Sequence, residues 1–399
     1  MKNQPREEQD KRRKARENKS AAKVLRVDCA SENHKIVKDG FYTTKSGNHV
    51  DIQEAFQSSM VNSIHYHYNH VFPNTRALKR KVLYKTKFNV VNCGAIQAAM
   101  DIYDTFKLTA ATSATKNTTT RSMDSTHHHH IGILNFASAK NPGGGYLRGA
   151  SAQEESLCRS SLLYPCLHQY ENRRDHYYQI NRRKRSGPSR RGAHFGTLYS
   201  NCAIFSPLVP VIRDDGPDAN LLEHPCLVSF VTSPAPNKSI LIQHQLRDNS
   251  KKKSAKSGKR CKENSKQKSA KSDKTITEAE ITTTSSSSSL STEKNDEELQ
   301  NVMVQRIKRI LKIFNVNECT DLVLGAFGCG VFGNDPKFVA AAFHRIIREE
   351  YNGLFNSITF AIWTPPKCLI PMEDDNYSAF VNEFALIMHS KNNNCDNST

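Results

Sequence analysis

The chain has 399 residues, enough for one or two domains with sizeable cores, yet at 37% hydrophobic and 24% charged it is too polar to be compact throughout. Its net charge of +18 is exceeded by three stretches alone, residues 1–26 (about +6), 172–194 (about +7) and 251–274 (about +9), so a basic partner-binding surface belongs to tails and inserts, not to the folded body. The 11 cysteines contain no C-x-x-C pair, the start of the chain is polar, and no apolar run could span a bilayer, which argues against a disulfide scaffold, a structural metal and a membrane protein. A cytosolic or nuclear protein with reduced cysteines is expected.

In chain order, residues 1–33 read as a basic tail, disordered or loosely helical. A helical extension is expected over 34–85, where a turn at Ser46-Gly47-Asn48 precedes a capped helix beginning near Asp51. The rest, 86–390, reads as one α/β domain, with a short tail at 391–399. Its first strand is Lys87–Val91 and its first helix Ala95–Tyr103, with Asn92 a candidate N-cap. A Thr/Ser-rich connector fills 108–126. The run Ile131–Phe136 fits a strand buried on both faces. A helix follows over about 152–163, then a basic insert over 171–196, and strands at Thr197–Phe205 and Cys226–Val231. A Lys/Ser-rich linker is expected at 238–292. Order resumes with a helix at about 297–314, a strand at Asp321–Phe327, a helix at Pro336–Tyr351, a strand at Ser357–Trp363 and a last helix near Tyr377–Met388. Strands alternating with helices imply a sheet covered on both faces.

Two segments carry chemistry. The first runs from Asn135 through Asn141-Pro142-Gly143-Gly144-Gly145 to Gln153-Glu154-Glu155. Glycines directly after a buried strand permit positive φ and close backbone approach to a ligand, and their N–H groups can form an anion nest. A flexible loop without a ligand is the alternative on the glycines alone. Ser151 and Glu154 have capping-box spacing, which would give Glu154 a structural role. That role leaves Gln153 and Glu155 unexplained. A general acid at Glu155 needs an upward pKa shift, which burial and the neighbouring Glu154 charge can supply.

In the second segment the apolar run Leu322–Phe327 enters Gly328-Cys329-Gly330-Val331-Phe332-Gly333, followed by Asp335 as N-cap and Pro336 at the first helical position. A glycine loop feeding a helix N-terminus favours an anion. The spacing is not that of a P-loop, and its position late in the chain does not fit a dinucleotide fold. Phe332 is either a ligand contact or a core residue. His127–His130 read as a low-complexity polar run rather than a metal site, because successive residues entering a strand face opposite sides. Arg182–Arg185 and Lys251–Lys253 suit nuclear import, polyanion contact or plain solvated charge.

Together these motifs resemble the microbial-type poly(ADP-ribose) glycohydrolases, built on a macrodomain. The likeness includes Asn135 to Gly145, Gln153 to Ser161, Phe205 to Arg213, Ser233 to Asn237 and Leu324 to Pro336. The region from Gly40 to Phe56 looks like the family's helical extension. The resemblance implies a three-layer α/β/α macrodomain-like mixed sheet that cleaves ribose–ribose O-glycosidic bonds to release ADP-ribose, without a cofactor. By carry-over, Glu155 is the catalytic acid and Glu154 positions the ribose at the cut bond. Asn141, Gly143, Gly144, Gly145 and Gln153 from the first segment, with Gly328, Gly330, Val331, Phe332 and Gly333 from the second, are the implied substrate-binding set. The implied partners are poly(ADP-ribose) and ADP-ribosylated proteins, with the basic inserts as possible polyanion contacts. A mono-ADP-ribosyl hydrolase or a non-catalytic ADP-ribose reader is the alternative. A nucleic-acid binder working through its basic tails fits less well, because those tails hold few aromatics apart from Tyr170, Tyr177 and Tyr178.

Overall fold

The computed structural model describes residues 6–73, 83–114, 129–183, 196–243, 246–247, 286–364 and 375–389. In chain order the elements are α1 (Arg6–Asp39), β1 (Phe41–Thr43), β2 (His49–Asp51), α2 (Gln53–Val61), β3 (Ile64–Tyr66), β4 (Lys87–Val91) and α3 (Ala95–Ala114). Then come β5 (Ile131–Phe136), α4 (Gln153–Ser160), α5 (Leu163–His168), α6 (Tyr177–Arg182), β6 (Ala203–Arg213) and β7 (Leu221–Ser233). The last are α7 (Ser286–Val316), β8 (Asp321–Leu324), α8 (Pro336–Glu350), β9 (Ser357–Ala361) and α9 (Asn376–His389).

Seven strands form one sheet in the order β3-β6-β7-β5-β8-β9-β4. Five neighbours, β7, β5, β8, β9 and β4, run parallel, and β6 is antiparallel to both β3 and β7. Both faces are covered, and alternate residues show it. Ile131, Ile133 and Val323 enter the core under α1 to α6, whereas Leu134, Leu322 and Leu324 enter the core under α7, α8 and α9. That two-sided burial is why β5 reads as a continuous apolar run rather than an alternating one. The result is the expected three-layer α/β/α arrangement, with the carboxyl ends of β5, β7 and β8 side by side at one edge.

Several expectations are corrected. α1 crosses the anticipated boundary at 33/34. Residues 16–25 are exposed, but Cys29, Ala30, Asn33 and Ile36 are buried, and their helical spacing docks the second half of the helix on the body. The segment 171–183 is no loose insert: α6 buries Tyr177, Tyr178 and Ile180, so these aromatics belong to the core rather than to a nucleic-acid surface. The anticipated helix over 152–163 is two helices, parted where Ser161 bridges to Val211. β6 starts at Ala203 rather than Thr197 and runs on to Arg213, taking in both prolines through irregularities around Leu208, whose φ is +46°. β7 begins at Leu221, five residues early. α3 continues to Ala114, and α7 begins at Ser286, inside the anticipated linker. Asn92 does not cap α3; its Oδ1 accepts the N–H of Thr364. Asp51 Oδ1 accepts the Gln53 N–H just before α2, but the N-cap itself is Ile52, whose side chain makes no cap bond.

The rest of the basic segment (184–195), most of the linker (248–285), His127 and His128, Lys251–Lys253 and the tail from 390 lie outside the described residues. His129 and His130 diverge, the first 3.1 Å from Asp321 Oδ2 and the second 2.6 Å from Ser229 Oγ. Among the described residues no group of three His, Cys, Asp or Glu side chains could hold a metal, and no helix is long and apolar enough to cross a membrane.

One buried cation ties the second face together. Arg306 sits in the apolar stripe of α7 with Met303, Ile307 and Ile310, and is 1% exposed. Its guanidinium donates to Asn201 Oδ1 (2.7 Å), to the carbonyls of Leu198 (3.1 Å) and Tyr199 (3.2 Å), and to that of Pro234. Arg306→Ala would strand those acceptors, and a loss of about 3–5 kcal/mol is expected. A shift of the urea midpoint, with the slope of the transition unchanged, is the measurement.

Candidate active site

β5 ends at Phe136, and its next residues turn across the carboxyl edge of the sheet. Gly143 and Gly144 take φ of +61° and +57°, and Tyr146–Arg148 close the loop as one 3-10 turn. α4 starts immediately after. Its N-cap is Ala152, which has no capping side chain, so the anticipated capping box at Ser151 and Glu154 does not form. Both glutamates of the first turn instead point into the protein, 3% and 8% exposed for Glu154 and Glu155.

The loop is folded around these carboxylates. Glu154 Oε2 accepts the Ser138 N–H at 2.7 Å, and its Oε1 accepts from Asn135 Nδ2 at 3.3 Å. Glu155 Oε1 accepts the Gly145 N–H at 2.7 Å. Glu155 Oε2 is buried and has no partner among the described residues. An orphaned buried carboxylate oxygen beside a strand-edge glycine loop is costly for folding alone, and marks where a ligand's proton or hydroxyl belongs. Both glutamates converge on Gly144: a Cβ there would stand 2.4 Å from Glu155 Oε1 and 3.1 Å from Glu154 Oε2.

Burial pushes the Glu154 carboxyl up to about 8, against the pull of the Ser138 N–H and with a further push from Glu155. From its ordinary value of 4.5 up to about 8, the folded chain keeps a proton that the unfolded chain has released. Stability therefore declines as pH rises through that window. The expected result is a melting temperature that falls between about pH 5 and pH 8, and a Glu154→Gln variant in which this fall is much reduced.

The remaining residues of the first segment are placed as follows. Gln153 spends its amide on β5, accepting the Phe136 N–H and donating to the Leu134 carbonyl, both at 2.8 Å. It holds α4 against the strand end. Asn141 lies exposed at the mouth of the loop, and its carbonyl accepts the Gly144 N–H at 3.0 Å. The Gly143 N–H supports Glu154. The N–H groups of Gly143, Gly144 and Gly145 are therefore engaged within the protein, and the anticipated anion nest does not exist at this loop. The physical reason is that the buried carboxylates and the loop's own turn onto the Asn141 carbonyl take up these donors.

The second glycine loop stands beside the first because β8 pairs with β5, and Phe327 meets Phe136 edge to face at 5.7 Å. Asn334, buried, clamps the loop by donating to the Gly328 and Pro236 carbonyls, both at 2.9 Å. Asp335 caps α8 by accepting the Lys337 N–H. Here the N–H groups of Gly330, Val331 and Phe332 have no partner among the described residues. Val331 is 85% exposed, and Phe332 is half-buried with its ring 6.1 Å from that of Tyr199, which Arg306 holds in place. Free donors in a glycine loop that leads into a helix suit an anionic group.

Residues without a sequence signature support the site. Tyr177 Oη donates to the Ser138 carbonyl at 3.4 Å, and Arg182 Nε to that of Lys140 at 2.6 Å, so α6 props the first loop. Arg26 Nε of α1 donates to the Gly149 carbonyl at 2.7 Å, and Asn33 Nδ2 to that of Arg159 at 2.8 Å. The signal for Arg306, a lone charge in an apolar helical stripe, was readable; those for Arg26 and Arg182, exposed-looking cations in basic runs, were not.

Known proteins of one family resemble this chain in sequence and fold. Residues 30–214 match the family described as microbial-type PARG, catalytic domain. The fold superimposes on the crystal structure of poly(ADP-ribose) glycohydrolase from Thermomonospora curvata with a TM-score of 0.61 and 28% identity, over 90% of this chain and 99% of that one. The same enzyme bound to the inhibitor ADP-HPD gives 0.60 at 28% identity, again over 90% and 99%. The enzyme from Deinococcus radiodurans in complex with ADP-ribose gives 0.56 at 27% identity, over 83% of this chain and 97% of that one. No curated protein matches the chain. The resemblance to microbial-type poly(ADP-ribose) glycohydrolases read from the two glycine loops and the Gln-Glu-Glu segment is borne out, as is the α/β/α fold.

Proposed function

We propose that this chain, like the microbial-type poly(ADP-ribose) glycohydrolases that it resembles, hydrolyses ribose–ribose bonds in poly(ADP-ribose) and releases ADP-ribose. The single observation that carries the reading is the divided carboxylate of Glu155: one oxygen is pinned by the Gly145 N–H, and the other is buried without a partner among the described residues. Pinning fixes the direction of the free oxygen. That oxygen delivers a proton to the departing ribose oxygen as an oxocarbenium-like centre develops, then takes a proton from the attacking water. Paired-carboxylate glycosidases divide these tasks between two well-separated acids. Here the second glutamate lies beside the first, and burial favours its neutral form, so Glu154 serves as the ribose-positioning group.

The diphosphate is assigned to the N–H groups of Gly330, Val331 and Phe332 at the second loop, with Gly328 and Gly333 shaping the turn. Phe332 packs against a ribose. Gly143, Gly144 and Gly145 contribute close approach rather than hydrogen bonds, and Asn141 contacts the ribose from the loop mouth. Gln153 acts through α4, as a positioning residue. The basic runs at 182–185 and 251–253 raise the encounter rate with a polyanion and suit nuclear entry.

The substrate class is tested by offering the protein poly(ADP-ribose) and a mono-ADP-ribosylated protein in parallel. Loss of polymer with appearance of free ADP-ribose, and little release from the mono-modified protein, is the expected outcome. Release from the mono-modified protein alone would replace this reading with the mono-ADP-ribosyl hydrolase.

A further inference from the structure

α1 is far longer than its docking requires. Its second half packs on α4 and on the 3-10 turn of the first glycine loop, but residues 16–25 are exposed along their whole length. Between Arg13 and Arg26 six basic residues stand against the single acid Glu17, which is ion-paired to Arg13. Arg16, Lys19, Lys23 and Arg26 follow one another at spacings of three, four and three, which places them on one face of the helix. That face spans about 15 Å at the α-helical rise.

The stripe does not end at an arbitrary place. Arg26 Nε donates to the carbonyl of Gly149, and the Lys23 main chain lies so close that a Cβ on Gly149 would come within 2.8 Å of the Lys23 carbonyl oxygen. Gly149 closes the turn that begins at Gly145, whose N–H holds Glu155. The exposed Arg148 lies in the same turn. A cationic strip thus starts at the wall of the candidate active site and leads away from the body. Each unit of a poly(ADP-ribose) chain carries two phosphate charges, and a chain being cut at Glu155 must extend away from the protein on the far side of the bond.

We propose that the face of α1 formed by Arg16, Lys19 and Lys23, leading to Arg26 at the first glycine loop, is a track for the polymer beyond the bond that Glu155 cuts. The inference rests on the glycohydrolase reading. It makes α1 a determinant of preference for long chains, independent of the chemistry at Glu155.

The test uses the full chain with Arg16, Lys19 and Lys23 all replaced by Ala, which keeps helix propensity. A charge-preserving variant, Arg16→Lys with Lys19→Arg and Lys23→Arg, serves as the rescue. Long polymer and a two-unit oligomer are assayed over a range of sodium chloride concentrations. For the triple Ala variant, kcat is unchanged and kcat/KM on long polymer falls about tenfold at low salt, with the log–log salt slope shallower by about 2. The two-unit oligomer is cut as by the wild type, and the charge-preserving variant behaves as the wild type. Equal salt slopes for wild type and Ala variant on long polymer would overturn the track while leaving the hydrolase reading intact. Loss of single-stranded DNA binding with polymer kinetics unchanged would also overturn it, in favour of a nucleic acid. A wild type that cuts neither substrate would remove the hydrolase reading itself, and the track with it.

Discussion

Glu155→Gln is expected to lower kcat on poly(ADP-ribose) by about 10²–10⁴-fold, the usual contribution of a positioned general acid–base. The amide is nearly isosteric. Its oxygen can still accept the Gly145 N–H that Glu155 Oε1 accepts at 2.7 Å, so the loop keeps its shape. What changes is the buried second oxygen, which is replaced by an amide nitrogen that can act neither as a general acid nor as a general base. ADP-ribose affinity and melting temperature should stay close to those of the wild type. A variant that loses both activity and stability would show instead that Glu155 is part of the scaffold.

Gly144→Ala is expected to be nearly as damaging by a different route. The added methyl would stand 2.4 Å from Glu155 Oε1 and 3.1 Å from Glu154 Oε2, on a backbone with φ of +57°. The left-handed backbone costs a non-glycine residue about 1 kcal/mol or more, and displacing a buried carboxylate adds to it, for a loss of about 2–4 kcal/mol. Activity falls at least about 10²-fold, because displacing the pinned Oε1 turns the carboxylate and re-aims the Oε2 that must meet the substrate. The contrast is Gly330→Ala in the second loop, where the new methyl meets nothing within 4 Å. That variant should melt with the wild type. Thermal melts of both, beside polymer assays of Gly144→Ala, make the comparison; a Gly144→Ala protein as stable and active as the wild type would mean that the two carboxylates do not converge on this position.

These two expectations turn on contacts that the sequence only partly disclosed. Ile131–Phe136 was legible to the residue because a strand buried on both faces has no polar alternation to confuse its ends. Asp335 and Pro336 announced α8 through cap chemistry that acts locally. β6 was misread because its pairing with β7 tolerates two prolines through an irregularity, a tertiary effect that overrides local propensity. α6 was hidden in a run of arginines, since two fully buried tyrosines among charged neighbours carry no periodic signal over six residues.

At the site, the glycines and glutamates were found, but their division of labour was not. The sequence could not show that the N–H groups of the first loop are consumed by Glu154, Glu155 and the loop's own turn, leaving free donors to the second loop. Nor could it show that Glu154, suggestive of a helix cap, is a buried acid with its pKa raised to about 8. Both facts depend on how the turn after β5 folds back over the first turn of α4, which local residue preferences do not fix.

The most direct test of the central claim is single-turnover release of ADP-ribose from poly(ADP-ribose) by wild type and by Glu155→Gln, with both proteins saturating the polymer. The expected result is prompt release by the wild type and release slowed by about 10²-fold or more in the variant, with ADP-ribose binding by the two proteins equal. Equal release rates at equal occupancy would contradict the assignment of the reaction to the free oxygen of Glu155.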